Sequence, residues 1–421
     1  MIATGARNLR RGLIVRVVAF AAALPAVAHG QSLSQRGFVD ARGFLYPQDA
    51  PNDSQNTVGD LWGREEVFAK PRPWIQFAAG LDARANTDDQ VDASWHIDFR
   101  DRTVQRPALS IRRLAATIAR GRLTLDAGKQ FIRWGKTDIV TPTDRFAPRD
   151  FMNVVDAEYL AVTGVRAVVA TDANTFEAVW VPWFTPSRAP LLDQRWTAVP
   201  TTVPPLTLED GGRHLPEGSQ AGVRWGHTTA AGLEYSASYF NGFNHLPDVT
   251  IVPGSAPTAL AVVQTYPAIR SYGGDLAAPT RWFTVKAEGA YTTSDTPGTD
   301  DFIVYVVQLE RQTGEWVLVG GYAGEVVTVH RAAFVFAPDR GLTKALLARA
   351  AYTIDTNRSV ALETAVRQNG AGVDVRGEYS QARGAHWRVT LTGAFLAGHH
   401  DDFLGQYRDN SHVSAALRYS F

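Results

Sequence analysis

The densest group of chemically capable residues lies between positions 138 and 150, where Asp138, Asp144 and Asp150 stand with Arg145 and Arg149. Charges of both signs set this close could line a narrow water-filled passage, where fixed charge acts strongly on passing ions. They could equally be capping residues of an ordered surface loop, since Asp and Pro stabilise turns. A second group, His399, His400, Asp401 and Asp402, has metal-ligand types, but no second cluster sits at a suitable spacing, so a solvated loop is the plainer reading. Asp295, Asp300 and Asp301 flank a Pro-Gly turn and read as turn residues for the same reason. The chain has no Gly-x-Ser-x-Gly elbow, phosphate loop, His-Glu-x-x-His or dinucleotide fingerprint. With no nucleophile brought to a base, no catalytic residue, cofactor or metal is assigned, and an enzyme is not expected.

Alternation over short windows dominates the segments that must position these residues. In the last eleven residues, Val413, Ala415, Leu417, Tyr419 and Phe421 fall on one face and His412, Ser414, Arg418 and Ser420 on the other. That period of two is a strand with one apolar face. The same pattern recurs in 37–46, 74–84, 123–131, 233–239, 283–291, 360–367, 373–379 and 386–395, with Lys129 an exception on an apolar face. The polar faces carry both signs of charge, including Arg42, Arg84, Arg376 and Arg388 beside Asp40, Asp82, Asp374 and Glu378. A wet lumen on one side and lipid on the other accounts for this better than a packed sandwich does.

Connections fall into two length classes: very short at 120–121, 172–174, 312–314 and 383–384, long at 47–73, 135–157, 185–218, 242–258 and 398–410. Short turns on one rim and long loops on the other mark a transmembrane β-barrel. The prediction is an all-β, antiparallel transmembrane barrel of about 18 strands in one domain. Sixteen is the alternative, because 303–310, 316–327 and 342–352 alternate poorly and the last could be a short helix. By this strand count the 135–157 loop is the third outer loop.

Residues 1–30 read as a cleaved signal peptide. Arg7, Arg10, Arg11 and Arg16 precede an apolar run, Val17 to Leu24, that is too short to span a bilayer, and small residues follow, with cleavage expected after Ala28 or Gly30. Residues 31–421 are then the barrel. Losing those four arginines takes the formal net charge from +0 to −4, which argues against a nucleic-acid partner. A cysteine count of 0 excludes disulfides and thiolate metal sites.

Two stretches resemble known proteins. The strand ending Leu417, Tyr419, Phe421 resembles the C-terminal signal of bacterial outer-membrane β-barrels, which implies recognition by the barrel-assembly machinery. Gly128-Lys-Gln-Phe-Ile-Arg-Trp-Gly135 running into Thr137-Asp138 and Pro148-Arg-Asp150, with Gly405-Gln-Tyr-Arg-Asp-Asn410, resembles porin-like outer-membrane proteins. The resemblance implies a passive channel for small polar solutes in the bacterial outer membrane. It also implies contacts with the bilayer and lipopolysaccharide, and it is compatible with a homo-oligomer. General porins fold their third outer loop inward, which would make Asp138, Asp144, Arg145, Arg149 and Asp150 a constriction. The alternatives are an outer-membrane hydrolase, an exporter of anionic polymer and a non-conducting structural barrel.

Overall fold

A computed structural model describes residues 33–332 and 336–421, so residues 1–30, read above as a signal peptide, lie outside the described residues. Numbering only barrel strands, β1 is Leu33–Leu45, β2 Thr57–Arg72, β3 Ile75–Asn86, β4 Arg106–Arg120, β5 Leu123–Gln130 and β6 Val162–Ala170. Then come β7 Asn174–Val181, β8 Gln220–Thr228, β9 Glu234–Phe243, β10 Ala268–Pro279, β11 Thr284–Thr293 and β12 Asp301–Thr313. The last six are β13 Trp316–Val329, β14 Ala345–Asp355, β15 Arg358–Arg367, β16 Gly372–Arg383, β17 Trp387–Gly398 and β18 His412–Ser420. Each strand pairs antiparallel with the next, and β18 returns to β1 with Phe38 opposite Ser420 and Leu45 opposite Val413. The result is a closed barrel of 18 strands with no free edge.

The alternating residues choose the two faces. Leu391, Phe395, Val413 and Leu417 stand exposed on the outside, whereas Asp40 and Asp82 are buried inside. An apolar outer belt and a polar interior fit a bilayer-spanning barrel, whose backbone polar groups must all be paired internally. Turns on one rim are tight, and Gly121 and Gly314 hold φ values of +58° and +54°, a region costly for residues with a Cβ. At the seam, Phe421 exchanges two backbone hydrogen bonds with Gly37, of 2.9 and 3.0 Å. A Cβ on Gly37 would lie 2.6 Å from the Phe421 ring, so the closing pair needs glycine there.

Three expectations change. The stretch 47–73 is not one long loop, because it contains β2. Its faces mix Gly59, Leu61, Gly63 and Glu65 with Asp60, Trp62, Arg64 and Glu66, which hides the period. The three poorly alternating stretches are all strands, and 345–355 is β14 rather than helix. The loops 182–219 and 244–267 are not wholly irregular. Together they build a small sheet of Thr202–Val203, Leu206–His214, Ala259–Thr265 and Asp248–Pro253.

Candidate functional site

The loop between β5 and β6, residues 131–161, crosses the lumen and is tied to both walls. It turns inward at Trp134-Gly135, whose backbone N–H groups donate to Asp144 at 2.7 and 2.6 Å. The buried Trp134 ring packs edge-on against Phe146 and donates from Nε1 to Glu177. Glu288, on the lumen face of β11, then receives five hydrogen bonds. They come from the N–H groups of Lys136, Thr137 and Thr143 and from the hydroxyls of both threonines, at 2.7–3.0 Å. Asp138 reaches the same side of the barrel through Lys286 and Gln308. At the far end of the loop, Asp156 pairs with Arg42 at 3.5 Å, Arg376 donates to the Val155 carbonyl at 2.6 Å, and Arg84 pairs with Glu158 at 2.7 Å.

Of the five residues singled out in the sequence, Asp144 fixes the inward turn and Asp138 fixes the β11–β12 side. Asp150 is buried and takes a two-pronged contact from Arg106 at 2.8 and 2.9 Å and another from Arg188 at 3.3 Å. Burial alone would raise the Asp150 carboxyl, but those guanidinium groups hold it well below the usual range. Arg149 donates to Thr141 and to the Tyr159 hydroxyl, both at 2.7 Å. Arg145 is enclosed beside Asp339, at 3.9 Å, and burial pushes its guanidinium down. His245 stands beside it, with its ring nitrogens 2.6 and 3.0 Å from the carbonyls of Thr185 and Arg145. Burial pushes His245 down to about 4, while the two carbonyls, which can only accept, favour an N–H on each nitrogen and oppose that shift.

The two sides of the lumen flanking this loop are unlike. On one side, Val140 and Val154 of the loop and Trp196 of loop 182–219 pack on Val304 and Val306 of β12, Ala323 of β13, Leu347 of β14 and Leu396 of β17. These side chains are buried there. On the other side, a cavity of about 330 Å³ runs between Asn153 and Asp156 and the walls of β1 and β16–β18. Four arginines line it, Arg42, Arg376, Arg388 and Arg418, against three acids, Asp40, Asp156 and Glu378. Arg418 grips Asp40 at 2.7 and 2.8 Å, whereas Arg388 donates to the Ser380 hydroxyl and Arg376 to a backbone carbonyl.

Several contacts of this wall were not foreseen in the sequence, although Arg84 and Arg418 were placed on polar faces there. Arg84 and Arg64 flank the Trp62 ring at 4.2 and 4.3 Å, while Arg64 and Arg418 flank Phe38 at 5.4 and 4.1 Å, a cation–π stack over four strands. A β-bulge in β4 turns the adjacent Arg112 and Arg113 to the same face, both near the Phe131 ring. Arg195, fully buried, donates to Asn410 at 3.0 Å and lies over Tyr46 at 3.9 Å, holding loop 182–219 above the cavity. None of these contacts follows from local pattern. The one available signal was Trp62, Arg64 and Phe68 on a single parity, together with Asp60 and Glu66.

The remaining clusters find local partners. Asp402 pairs with Arg367 at 2.9 Å, Asp295 with Arg270 at 3.1 Å and Asp301 with Arg331 at 3.0 Å. Leu417 and Tyr419 lie on the outer face, and Phe421 sits at the seam.

No family model matches the sequence, and neither does any curated protein. Solved structures do. A BenF-like porin from Pseudomonas fluorescens Pf-5 aligns with a TM-score of 0.55 at 8% identity, covering 93% of this chain and 98% of that one. OccAB4 of Acinetobacter baumannii gives 0.53 at 10% identity, covering 93% and 99%. OpdK of Pseudomonas aeruginosa, solved with vanillate, gives 0.53 at 9%, covering 92% and 98%. At these identities the likeness is one of fold, and the fold is that of outer-membrane porins.

Proposed function

We propose that this chain is a porin of the bacterial outer membrane that lets small polar solutes diffuse past the loop 131–161, with a modest preference for anions. The observation that carries this reading is the unequal lumen. One side is filled by apolar side chains, while the other keeps a polar cavity with four arginines against three carboxylates. Fixed charge beside a narrow aqueous path raises the local concentration of counter-ions, and selectivity follows from that charge and from the radius. In this reading Asp138, Asp144, Arg145, Arg149 and Asp150 hold the course of the constricting loop, and Asn153 and Asp156 face the path. Residues 1–30 serve export, and the strand ending Leu417, Tyr419, Phe421 serves recognition during barrel assembly.

Purified protein in a planar bilayer should give stable single-channel steps and a reversal potential of anion-preferring sign across a potassium chloride gradient. A folded barrel that conducts nothing overturns the proposal and leaves a structural or enzymatic barrel. For the assembly role, deleting Phe421 should lower insertion into the outer membrane while export continues. Normal insertion would refute that role.

A further inference from the structure

The segment between β3 and β4 does not lie over the lumen. Its strand Val91–His96 runs parallel to the upper end of β4, with Val91 opposite Arg106 and Trp95 opposite Leu109. Residues 97–103 then cross the outside of the barrel. The Phe99 carbonyl accepts from the Thr163 hydroxyl at 2.6 Å, and the Asp98 carbonyl lies 3.5 Å from Lys129 Nζ. Lys129 stands opposite Leu114 in one ladder and Thr163 in the next, so all three share the outer face. The strap continues to loop 182–219, where Thr185 donates to the Arg100 carbonyl and Arg102 to the Phe184 carbonyl. It thereby covers a lysine that would otherwise face lipid, and pairs it with Asp101 at 3.6 Å.

The other side of this strap is apolar. Trp95 and Ile97 are 66% and 67% exposed, and Phe99 is exposed as well. All three are exposed within five residues of one another, at the end of the strand and just beyond it. Leu114, beside Lys129 on the outer face, makes the patch continuous with the lipid-facing belt. On the loop side, Arg100 is exposed over the Trp183 ring at 5.4 Å, and no carboxylate pairs with it among the described residues. Asp98 and Glu217 act on Arg102, whose guanidinium is nonetheless pushed down by burial and by Arg100. Aromatic and apolar side chains above a belt, with an arginine beyond them, have the order of a membrane interface.

We infer that this strap is a lipid-docking surface: Trp95, Ile97 and Phe99 seat in the leaflet on the loop side, and Arg100 holds the phosphate of an anionic lipid. The inference rests on the membrane reading above. Arginine suits the phosphate because its planar fork makes charge-assisted, two-pronged contacts.

Since the chain lacks cysteine, single nitroxide labels can be placed on Ile97→Cys, on Leu391→Cys in the belt and on Asp401→Cys in an exposed loop. In nanodiscs of phosphatidylcholine containing bis-phosphorylated lipid A, collisions with oxygen and with a water-soluble nickel chelate report lipid and water. The Ile97 label should resemble the Leu391 label, with several-fold more oxygen and less nickel contact than at Asp401. An Ile97 label that behaves like Asp401 overturns the docking surface. A Leu391 label in water would instead overturn the membrane reading itself. Dipolar coupling between Ile97 labels would name a second copy as the occupant and reject lipid. For the phosphate, Arg100→Gln should retain several-fold less lipid A than wild type in native mass spectrometry, with no difference for dephosphorylated lipid A. Equal retention of the phosphorylated form rejects the arginine contact.

Discussion

The two sides of the lumen are built from strands of one closed antiparallel ladder, yet their inner faces do opposite work. On β12–β14 the inward positions are Val304, Val306, Ala323, Ala345 and Leu347, and loop side chains cover them. On β1–β3 and β16–β18 they are Asp40, Arg42, Arg64, Asp82, Arg376, Arg388 and Arg418, and the loop keeps its distance except at a few ion pairs. An apolar inner face in a barrel therefore marks where a loop docks, and a charged one marks where water stays. Burying the apolar face stabilises the loop by roughly 25 cal/mol per Å² removed from water, while arginines and carboxylates keep most of their hydration by staying at a wet surface.

The largest test places the same charge on each side. Val306→Arg would put an unpaired guanidinium into the apolar cluster, and should cost about 3–5 kcal/mol, as uncompensated buried charges do. Thr390→Arg, on the cavity wall, should cost less than about 1 kcal/mol because water reaches it. Leu391→Arg, its neighbour on the lipid face, should cost about 2–4 kcal/mol near the midplane. Reversible unfolding from lipid vesicles orders the three. Equal losses at 306 and 390 would abolish the distinction between the two sides.

A smaller effect is expected at the anchor. Glu288→Ala removes five hydrogen bonds to the crossing loop and should lower stability by about 1–3 kcal/mol, the penalty for leaving buried donors unpaired. The clearer readout is electrical. Open-channel current noise should rise in Glu288→Ala and stay at the wild-type level in Glu378→Ala, which removes a carboxylate from the cavity wall without freeing the loop. Matching noise in the two variants would mean that Glu288 does not hold the loop.

The unlike sides also explain what the sequence discloses. Strands between lipid and a wet lumen, such as β16–β18, alternate cleanly because their two faces meet different solvents. Strands β12–β14 face lipid outside and an apolar plug inside, so Tyr305, Val307 and Leu309 outside look no different in type from Val304 and Val306 inside. Their poor alternation is the plug seen in one dimension. The blurred period of β2 has another cause, since Gly63 and Glu65 stand on its outer face. The loop's charge cluster was visible as composition, but the wall residues that hold the loop, Glu288 at Thr143, Arg106 at Asp150 and Arg376 at Val155, lie 145, 44 and 221 residues away. Such pairings are set by barrel closure and register, which local spacing does not encode.

The smallest effect decides on which side of the loop the path runs. Among the described residues, Arg376 and Arg388 line the cavity with no carboxylate in a close ion pair, so replacing both with Ala removes two positive charges and leaves Arg42 and Arg418 against Asp40, Asp156 and Glu378. The local balance changes from +1 to −1, and the reversal potential across a potassium chloride gradient should move toward cation preference. Arg145 and Arg149 are engaged within the loop and beside Asp339, where Pro142, Thr141 and Tyr159 take their hydrogen bonds. Their double Ala variant should shift the potential less, because at about 0.1 M salt charges beyond ~10 Å are largely screened from the path. Both shifts should shrink as salt rises. If the Arg145/Arg149 variant moves the potential more, solutes pass on the His245 side of the loop, and the arginines of β16 and β17 line a closed chamber instead.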